Sequence, residues 1–353
     1  MKYQPLNLGR WIVWSAAALL FLAAPHIFKG GFALTMLTQM GTLIIFALSY
    51  NMLLGQGGML SFGHAVYSGL GAYVTVHVLN LMGKGAFTLP LPLLPLVGGL
   101  AGLFFGVLFG YVTTKRAGTT FALISLGIGE LVFACVLMLP DFFGGEAGVS
   151  TNRVVGKPFL GLSFGPALQV YYLVAVWCFL CMAAMFALTQ TPLGRLANAV
   201  RDNPERAEFV GYNPQRVRFL QLVLASFFAG VSGALSCINF EIVSAENVSA
   251  IRSGGVLLAT FIGGVPFFFG PVLGAIVFIF FVVALSGFTK AWLLYLGLFF
   301  VLMVVYAPGG IASLILMQFP VIRAGRWREL ALPYALAALA ALLALAGLIG
   351  LVE

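Results

Sequence analysis

The sequence predicts an all-α polytopic membrane protein. Of its 353 residues, 61% are hydrophobic and only 8% are charged, whereas soluble domains carry roughly a quarter charged residues. Apolar stretches of about 20 residues, the length of a helix that crosses a bilayer, recur along the chain. The polar stretches between them, near 141–167 and 189–218, are too short for a catalytic domain. We therefore expect no enzymatic activity from this chain alone.

Ten to eleven spanning helices are predicted, within a single transmembrane domain that covers 1–353. Their ranges are about 11–28, 33–54, 59–82, 91–114, 119–140, 168–188, 217–240, 248–264, 269–288, 291–307 and 331–351. The first begins like a signal sequence, but the many spans that follow favour a retained helix. Glycines and Pro266 interrupt the eighth, which predicts a broken or re-entrant helix.

The distribution of positive charge predicts the orientation. With the N-terminus in the cytoplasm, 12 of the 18 lysine and arginine residues fall in cytoplasmic loops and 6 in outer loops. This bias follows the positive-inside rule, and it requires that the eighth segment crosses the membrane. The net charge of +8 lies in these short loops, so we expect contact with membrane lipid and no binding of nucleic acid.

Glycine and polar residues are concentrated in the stretch 51–73, NMLLGQGGMLSFGHAVYSGLGAY. Each glycine costs about 1 kcal/mol relative to alanine in a helix interior, and hydrocarbon cannot satisfy the polar groups. A membrane protein carries such a segment mainly where it lines a cavity or packs closely on another helix. The candidates for a substrate path here are Asn51, Gln56, Gly57, Gly58, Ser61, Gly63 and His64. For His64, a hydrogen-bonded packing role is the alternative.

A second interrupted segment, GGVPFFFGPVLGA at 263–275, lies in the other half of the chain. Like the stretch 55–65, it runs from a glycine pair to a Phe-Gly step, although the spacing differs by one residue. Paired interrupted helices in two halves point to the binding site of a transporter, which adds Gly263 and Gly264 to the path candidates. Close helix packing through glycine is the alternative.

One carboxylate, Glu130, falls inside an apolar segment, where a charge is costly and suggests a functional site. It either attracts the ammonium group of a substrate or hydrogen-bonds within the helix bundle. All four cysteines fall in apolar segments, and the pair Cys178 and Cys181 has no nearby ligand partners. We therefore predict thiols that pack as small hydrophobic groups and no metal site.

The most charged part of the chain, 189–218, predicts a compact helix-turn-helix knob on the cytoplasmic face. Thr191-Pro192 and Asn203-Pro204 are typical helix starts, and Gly211 suits the C′ position of the second helix. The first helix has an apolar stripe at i, i+3, i+4 and i+7, formed by Leu193, Leu196, Ala197 and Val200. The stripe and the mixed charges favour docking against a soluble protein. An amphipathic loop at the lipid surface, the alternative, would be more uniformly basic.

Six motifs make the chain from about 33 to 316 resemble the LivH/LivM permeases for branched-chain amino acids. They are NMLLGQGGMLSFGHAVYSGLGAY (51–73), AGTTFALISLGIGE (117–130), FFGGEAGVS (142–150), TPLGRLANAVRDNPERAEFVGYN (191–213), GGVPFFFGPVLGA (263–275) and VVYAPGGIASL (304–314). Glu205-x-Ala207-xxx-Gly211 resembles the EAA loop by which bacterial ABC importers couple a permease to its ATPase. The extra leading helix within 1–32 is more similar to the LivM half of the pair.

The resemblance implies one half of a heterodimeric channel in the bacterial inner membrane. Its implied partners are a sister LivH-like permease, two ABC ATPase subunits that hold ATP and magnesium, and a periplasmic substrate-binding protein. The chain has no GxxxxGK[ST] motif, so no cofactor is expected in it. The residues implied in ATPase coupling are Leu193, Gly194, Arg195, Glu205, Arg206, Ala207 and Gly211. Those expected to face the binding protein are Gly144, Gly145, Glu146, Glu246 and Arg252.

Two features depart from the family pattern. The GGxDG-like loop has Glu146 and Ala147 where the pattern varies, and the apolar run at 331–351 predicts an extra C-terminal helix. Other cargoes stay open for the same machine, namely urea, short amides, and aromatic or hydrophobic acids. A self-contained secondary transporter or channel is a further alternative, but it predicts ionisable residues in several helices, and only Glu130 is clearly intramembrane.

Overall fold

The computed structural model describes residues 8–154 and 161–323, and these residues form fourteen α-helices. The helices are α1 (Leu8–Ile27), α2 (Gly31–Asn51), α3 (Ala65–Gly83), α4 (Leu94–Thr113), α5 (Gly118–Met138), α6 (Pro140–Phe143), α7 (Ala167–Gln190), α8 (Pro192–Asp202), α9 (Pro204–Phe209), α10 (Pro214–Phe240), α11 (Ala250–Gly263), α12 (Gly270–Ile279), α13 (Trp292–Tyr306) and α14 (Gly310–Arg323). Two short strands, β1 (Val149–Ser150) and β2 (Ile242–Val243), pair antiparallel. The π-helical turns Met52–Gln56 and Phe280–Ala284 continue α2 and α12.

The all-α polytopic fold is confirmed. In the described residues, seven helices are long and apolar enough to cross a membrane: Gly31–Gln56, Ala65–Gly83, Leu91–Thr113, Gly118–Met138, Ala167–Gln190, Pro214–Phe240 and Gly270–Gly287. α13 and α14, bent by 48° at their junction, make an eighth if they count as one span. Trp11–Ile27 and Ala250–Gly263 are shorter apolar helices. The described count is thus lower than the predicted ten to eleven, and the predicted helix at 331–351 lies outside the described residues.

The central helix of the bundle is α10, which packs against α2, α3 and α4. Its contact with α4 is built from small residues. A Cβ on Gly230 would collide with the carbonyl oxygen of Gly98, and a Cβ on Gly102 would collide with the carbonyl oxygen of Ser226. Such close backbone approach is typical of helix pairs in membranes, where van der Waals packing replaces the hydrophobic drive.

The two ends of the bundle differ in construction. One end carries α8 and α9 (the knob, residues 191–213), and we call it the knob end. At the far end, the β1–β2 ladder pairs Val149 with Val243. Arg153 reinforces it, since its backbone N–H donates to Glu241 Oε1 at 2.8 Å and its guanidinium donates to the carbonyls of Phe164 and Gly165 at 2.9 Å each. This strand pair was not predicted from the sequence.

The eighth predicted span crosses the bundle in two pieces. After β2, residues 244–249 enter the bundle without forming an α-helix, and Val248 packs against Gly69 of α3. α11 then runs to the knob end, where Val265 lies beside Gly55. α11 has 14 residues, about 21 Å at 1.5 Å per residue, which is short of the ~30 Å hydrocarbon core. The predicted interruption inside this span is wrong for Gly254 and Gly255, which lie within the continuous helix α11; the 3-10 turn Ala245–Val248 precedes the helix, and the turn at Gly264 follows it.

A tight hairpin joins α11 to α12. A Cβ on Gly263 would collide with the carbonyl oxygen of Gly270, and one on Gly274 would collide with that of Ala259. Gly264, at φ 115°, makes the turn. α14 packs against both helices of the hairpin, although no helix was predicted between the spans 291–307 and 331–351. The structure corrects this omission with α14, Gly310–Arg323.

Candidate functional site

The first interrupted segment begins where α2 loses its regular hydrogen bonding. Its last turn widens into the π-helical turn Met52–Gln56, and the backbone N–H groups of both Gly57 and Met59 donate to the carbonyl oxygen of Leu53. Gly58 follows at φ 63°, a conformation that glycine adopts without strain. We call residues 52–64 the first break. Of its predicted path candidates, Gln56 is partly buried, Gly57 is buried and Gly58 is exposed.

Side chains from two other elements hold the first break at the knob end. Arg201, at the end of α8, donates from Nη1 to the carbonyl oxygen of Gly55, and its aliphatic stem covers Gly58. Gln221 of α10 donates to the carbonyl oxygen of Met52. The two side chains thus supply hydrogen bonds to backbone carbonyls at the point where the regular helix is interrupted. The knob is thereby bonded directly to the interrupted helix.

The two interrupted segments, which the sequence paired as a pointer to a binding site, are in contact. A Cβ on Gly55 would lie 2.7 Å from the carbonyl oxygen of Val265, in the turn between α11 and α12. That turn also contacts Gly309, whose carbonyl oxygen a Cβ on Gly264 would strike. The glycines of both segments therefore serve close backbone packing, and the contact places the two breaks side by side at the knob end.

His64 and Ser61 lie in the core of the bundle. His64 is fully buried, with Nε2 at 3.0 Å from Ser49 Oγ and its ring stacked on Phe46 at 5.5 Å between centroids. The Ser61 carbonyl accepts a hydrogen bond of 2.9 Å from the hydroxyl of Tyr50. Both residues fasten the end of the first break to α2, and neither lines the cavity described below.

The N-termini of α3 and α11 meet inside the bundle. The backbone N–H of Ala65, at the start of α3, donates to Ser253 Oγ in the first turn of α11 at 3.0 Å. Ser249 caps α11 by accepting from the backbone N–H of Arg252 at 3.2 Å. Helix N-termini carry partial positive charge. Two of them therefore converge beside Phe46, well inside α2.

A cavity of about 510 Å³ opens next to this junction, between α2, α10, α11, α12 and α13. Most of its lining is apolar, and its polar lining residues are Gln39, Thr42, Ser232, Ser236 and Arg252. Arg252 is the charged residue among them. Its Nη1 donates to Asn247 Oδ1 at 2.9 Å, and its guanidinium lies 5.9 Å from the ring centroid of Phe46.

Arg252 was predicted in an outer loop that faces a binding protein. It lies instead in the first turn of α11, on the wall of the cavity. The prediction placed it outside because α11 was expected to start at the membrane surface, whereas residues 244–249 carry the chain inward first. Glu246, in the 3-10 turn Ala245–Val248, is exposed, as is Glu146 beside the buried Gly145 and the partly buried Gly144.

The remaining intramembrane candidates lie apart from the cavity. Glu130 is exposed on α5, on the same face as Leu123 and Leu131. Gly63 approaches the opposite face of α5, where a Cβ would collide with the carbonyl oxygen of Ser125. Asn51 is buried, and its Oδ1 has no hydrogen-bond partner among the described residues.

The knob has the predicted helix-turn-helix form. Thr191, Asn203 and Asn213 cap α8, α9 and α10 through their side-chain oxygens. Gly211 has φ 93°, as its predicted C′ position requires. Of the residues implied in coupling, Arg195, Glu205, Arg206 and Gly211 are exposed, Gly194 and Ala207 are buried, and Leu193 is partly buried.

The apolar stripe of α8 does not form the free surface of the knob. Ala197 and Val200 are buried with Ala207 and with Val217 of α10. The apolar side chains that face outward lie instead at the end of α9 and just after it: Phe209 is 89% exposed, Val210 75% and Tyr212 46%. The stripe therefore fastens the knob to α10, and these three residues, the knob patch, are the surface available for docking.

Comparison with known proteins assigns the chain. The family described as "Branched-chain amino acid transport system / permease component" matches residues 32–308. The chain belongs to this family. It is similar to the LivM permease of the high-affinity branched-chain amino acid transport system of Escherichia coli, with 28% identity over 76% of this chain and 67% of the relative. It is thus a LivM-like permease of the branched-chain amino acid ABC type.

The chain is also similar to two relatives with other names. A probable LivH permease of Methanocaldococcus jannaschii is 24% identical over 66% of this chain and 73% of the relative. The fructose import permease FrcC of Rhizobium meliloti is 25% identical over 57% of this chain and 59% of the relative. No solved structure matches the chain significantly. The names of the relatives to which this chain is similar thus give chemically different cargoes.

Proposed function

We propose that this permease is the LivM-like half of an ATP-driven importer of branched-chain amino acids in the bacterial inner membrane. It pairs with a LivH-like sister permease and receives its substrate from a periplasmic binding protein. Two ABC ATPase subunits drive it from the cytoplasm. The family membership and the two relatives named LivM and LivH support this assignment.

The observation that carries the proposal is the bond between the knob and the first break. Arg201 belongs to α8 and donates to the Gly55 carbonyl of the interrupted helix. A displacement of the knob is therefore transmitted directly to the end of α2 and, through Gly55 and Val265, to the α11–α12 hairpin. Packed side chains and hydrogen bonds of this kind can carry coupling between a driven surface and a moving element.

The knob patch supplies the surface for the ATPase. Phe209, Val210 and Tyr212 expose apolar area that is unpartnered in the described residues, and exposed Glu205, Arg206 and Glu208 surround it. An aromatic centre with a polar rim is the usual anatomy of a protein interface. The orientation proposed is cytoplasmic for the knob and periplasmic for the far end. Reporters fused after residues 203 and 146 are expected to give opposite topology signals.

The decisive experiment is uptake into proteoliposomes that contain the whole complex with its genomically neighbouring ATPases, sister permease and binding protein. We expect uptake of radiolabelled leucine that depends on ATP and on the binding protein. Leucine transport without the ATPases would contradict the proposal and favour a secondary transporter. A complex that imports only an amide, an aromatic acid or fructose would uphold the assignment as an ABC importer and contradict the assignment of its substrate. Fructose is included because FrcC is a relative.

A further inference from the structure

Among the described residues, Arg252 is a partly buried cation without a counter-ion. The ion pairs in the described residues are Arg153–Glu241 and Arg201–Asp202, so neither includes it. Its Nη1 is bonded to the neutral amide oxygen of Asn247, and its Nε is buried with no hydrogen-bond partner in the described part of the chain. A charge removed from water is normally paired. The structure thus holds an unfilled donor at the edge of a cavity.

The surroundings of Arg252 add further positive potential. Arg252 occupies the first turn of α11, and the N-terminus of α3 lies beside that turn through the bond between Ala65 and Ser253. Helix N-termini favour anions, and paired half-helix N-termini receive substrate carboxylates in transporters of other folds. The cavity lining contains no aspartate or glutamate among the described residues. The electrostatics of the cavity therefore select a negative group.

The rest of the cavity suits an aliphatic group. Leu43, Val256, Leu258, Ile279 and Leu296 contribute to its wall, and its volume of about 510 Å³ falls within the usual range for small-molecule sites. The hydroxyls of Thr42, Ser232 and Ser236 and the amide of Gln39 lie on the α2 and α10 sides. These neutral groups include acceptors for an ammonium group.

We propose that this cavity is a substrate-binding site in which Arg252 binds the carboxylate of an aliphatic amino acid and the apolar wall receives its branched side chain. The proposal rests on the proposed function for its choice of ligand. It makes Arg252 a specificity-determining residue, because an arginine fork recognises a carboxylate through paired N–H donors. A ligand that lacks the carboxylate loses this recognition.

The test uses matched ligands on the full-length permease in nanodiscs of neutral lipid, by calorimetry. Leucine and 4-methylpentanoate carry the carboxylate, and leucinamide does not. We expect the wild type to bind the two carboxylates and to bind leucinamide at least about tenfold more weakly, since a hydrogen bond to a charged group is worth a factor of ten or more. Arg252→Gln should abolish this preference, and Arg252→Lys should retain part of it. Lys115→Gln is the control, because Lys115 lies over Tyr111, away from the cavity.

Four results separate the outcomes. Equal binding of leucine and leucinamide by a folded wild type, or an unchanged preference in Arg252→Gln, overturns the site. Phosphatidylglycerol is the competing ligand. If it blocks carboxylate binding when added to the nanodiscs, and if it co-purifies with the wild type but not with Arg252→Gln, the cavity is an anionic-lipid site. The proposal is then wrong. Carboxylate preference without ATP-dependent leucine uptake by the complex would uphold the site and reject the proposed function. Normal leucine uptake by an Arg252→Gln complex would reject the site alone.

Discussion

The two interrupted segments look alike in the sequence but differ in the structure. The first break, residues 52–64, is held by polar contacts: His64 stacks on Phe46 of α2, and Arg201 and Gln221 donate to its carbonyl oxygens from α8 and α10. The second, residues 263–275, is a tight hairpin closed by backbone contacts, and the cavity with Arg252 lies at the opposite end of α11. A glycine-rich interruption therefore marks a place where helices are broken, and only the polar contacts tell whether that place is a joint or a binding site.

The largest expected effect comes from adding a side chain to a closely packed glycine in each of the two segments. Gly63→Val and Gly274→Val each place a branched side chain against a carbonyl oxygen, of Ser125 and Ala259 respectively. Overpacking costs about 1–3 kcal/mol or more, so we expect both variants to lose most of their folded yield by fluorescence-detected size exclusion. Gly254→Ala and Gly127→Ala, where no atom lies within 4 Å of the added carbon, are the controls. Normal yield of the valine variants would show that these contacts are looser.

The next prediction concerns the bond between the knob and the first break, which we separate from substrate binding in the cavity. Arg201→Ala removes the bond between the knob and the Gly55 carbonyl, so uptake is expected to fall at least tenfold while ATP hydrolysis and complex assembly persist. The comparison is uptake per ATP hydrolysed in proteoliposomes. Arg116→Ala is the control, since Arg116 is also exposed and lies in the turn after α4. Parallel loss of hydrolysis and uptake would assign Arg201 to docking rather than to transmission.

At the knob surface, Gly211→Val should change the shape of the knob and thereby weaken its contact with the ATPase. A β-branched residue at φ 93° is strained, at a cost of roughly 1–2 kcal/mol, which displaces the adjacent knob patch. We expect weaker binding of the ATPase in a pull-down with an unchanged melting temperature for the transmembrane bundle. The double variant Glu205→Ala, Arg206→Ala tests the polar rim in the same assay. ATPase binding at the wild-type level in both variants would show that the ATPase docks on another surface.

A smaller effect is expected from His64. His64→Phe removes the bond to Ser49 Oγ but keeps an aromatic ring on Phe46, so stability should fall by about 1 kcal/mol. The KM for leucine should stay unchanged, because His64 does not line the cavity. Thermal unfolding and uptake kinetics measure the two quantities, with Ser49→Ala as the matched loss of the same bond. A changed KM with normal stability would move His64 into the substrate path.

The smallest effect on the permease alone is expected for Glu130→Gln. Glu130 is exposed on α5, so its removal should leave the stability of the isolated chain within about 0.5 kcal/mol. An intramembrane carboxylate requires a polar environment, and we expect the sister permease to provide it. Recovery of the paired complex by affinity purification should therefore fall, while Gly127→Ala on the same helix should not affect it. Equal recovery with altered uptake would favour contact with substrate.

The knob was predictable because its signals are local. The capping residues Thr191, Asn203 and Asn213 and the left-handed Gly211 fix its shape through contacts a few residues apart. The similar glycine patterns predicted a binding site or close helix packing, and the contact between the two segments is an observation of the structure. Arg201 and Arg252 were not identified in their observed positions, since each acts on residues distant in sequence. From the sequence, Arg252 could lie in a loop or on α11, and the path of residues 244–249 in the structure decides between these positions.

The strand pair at the far end has a mechanical consequence. Val149 and Val243 join the loop that contains Gly144 and Glu146 to the segment leading into α11, and Arg153 clamps the joint. The backbone path from that loop to Arg252 therefore runs through the strand pair and the 3-10 turn Ala245–Val248, without crossing a helix interface. We expect a displacement of the loop to move the first turn of α11, and with it the guanidinium group of Arg252.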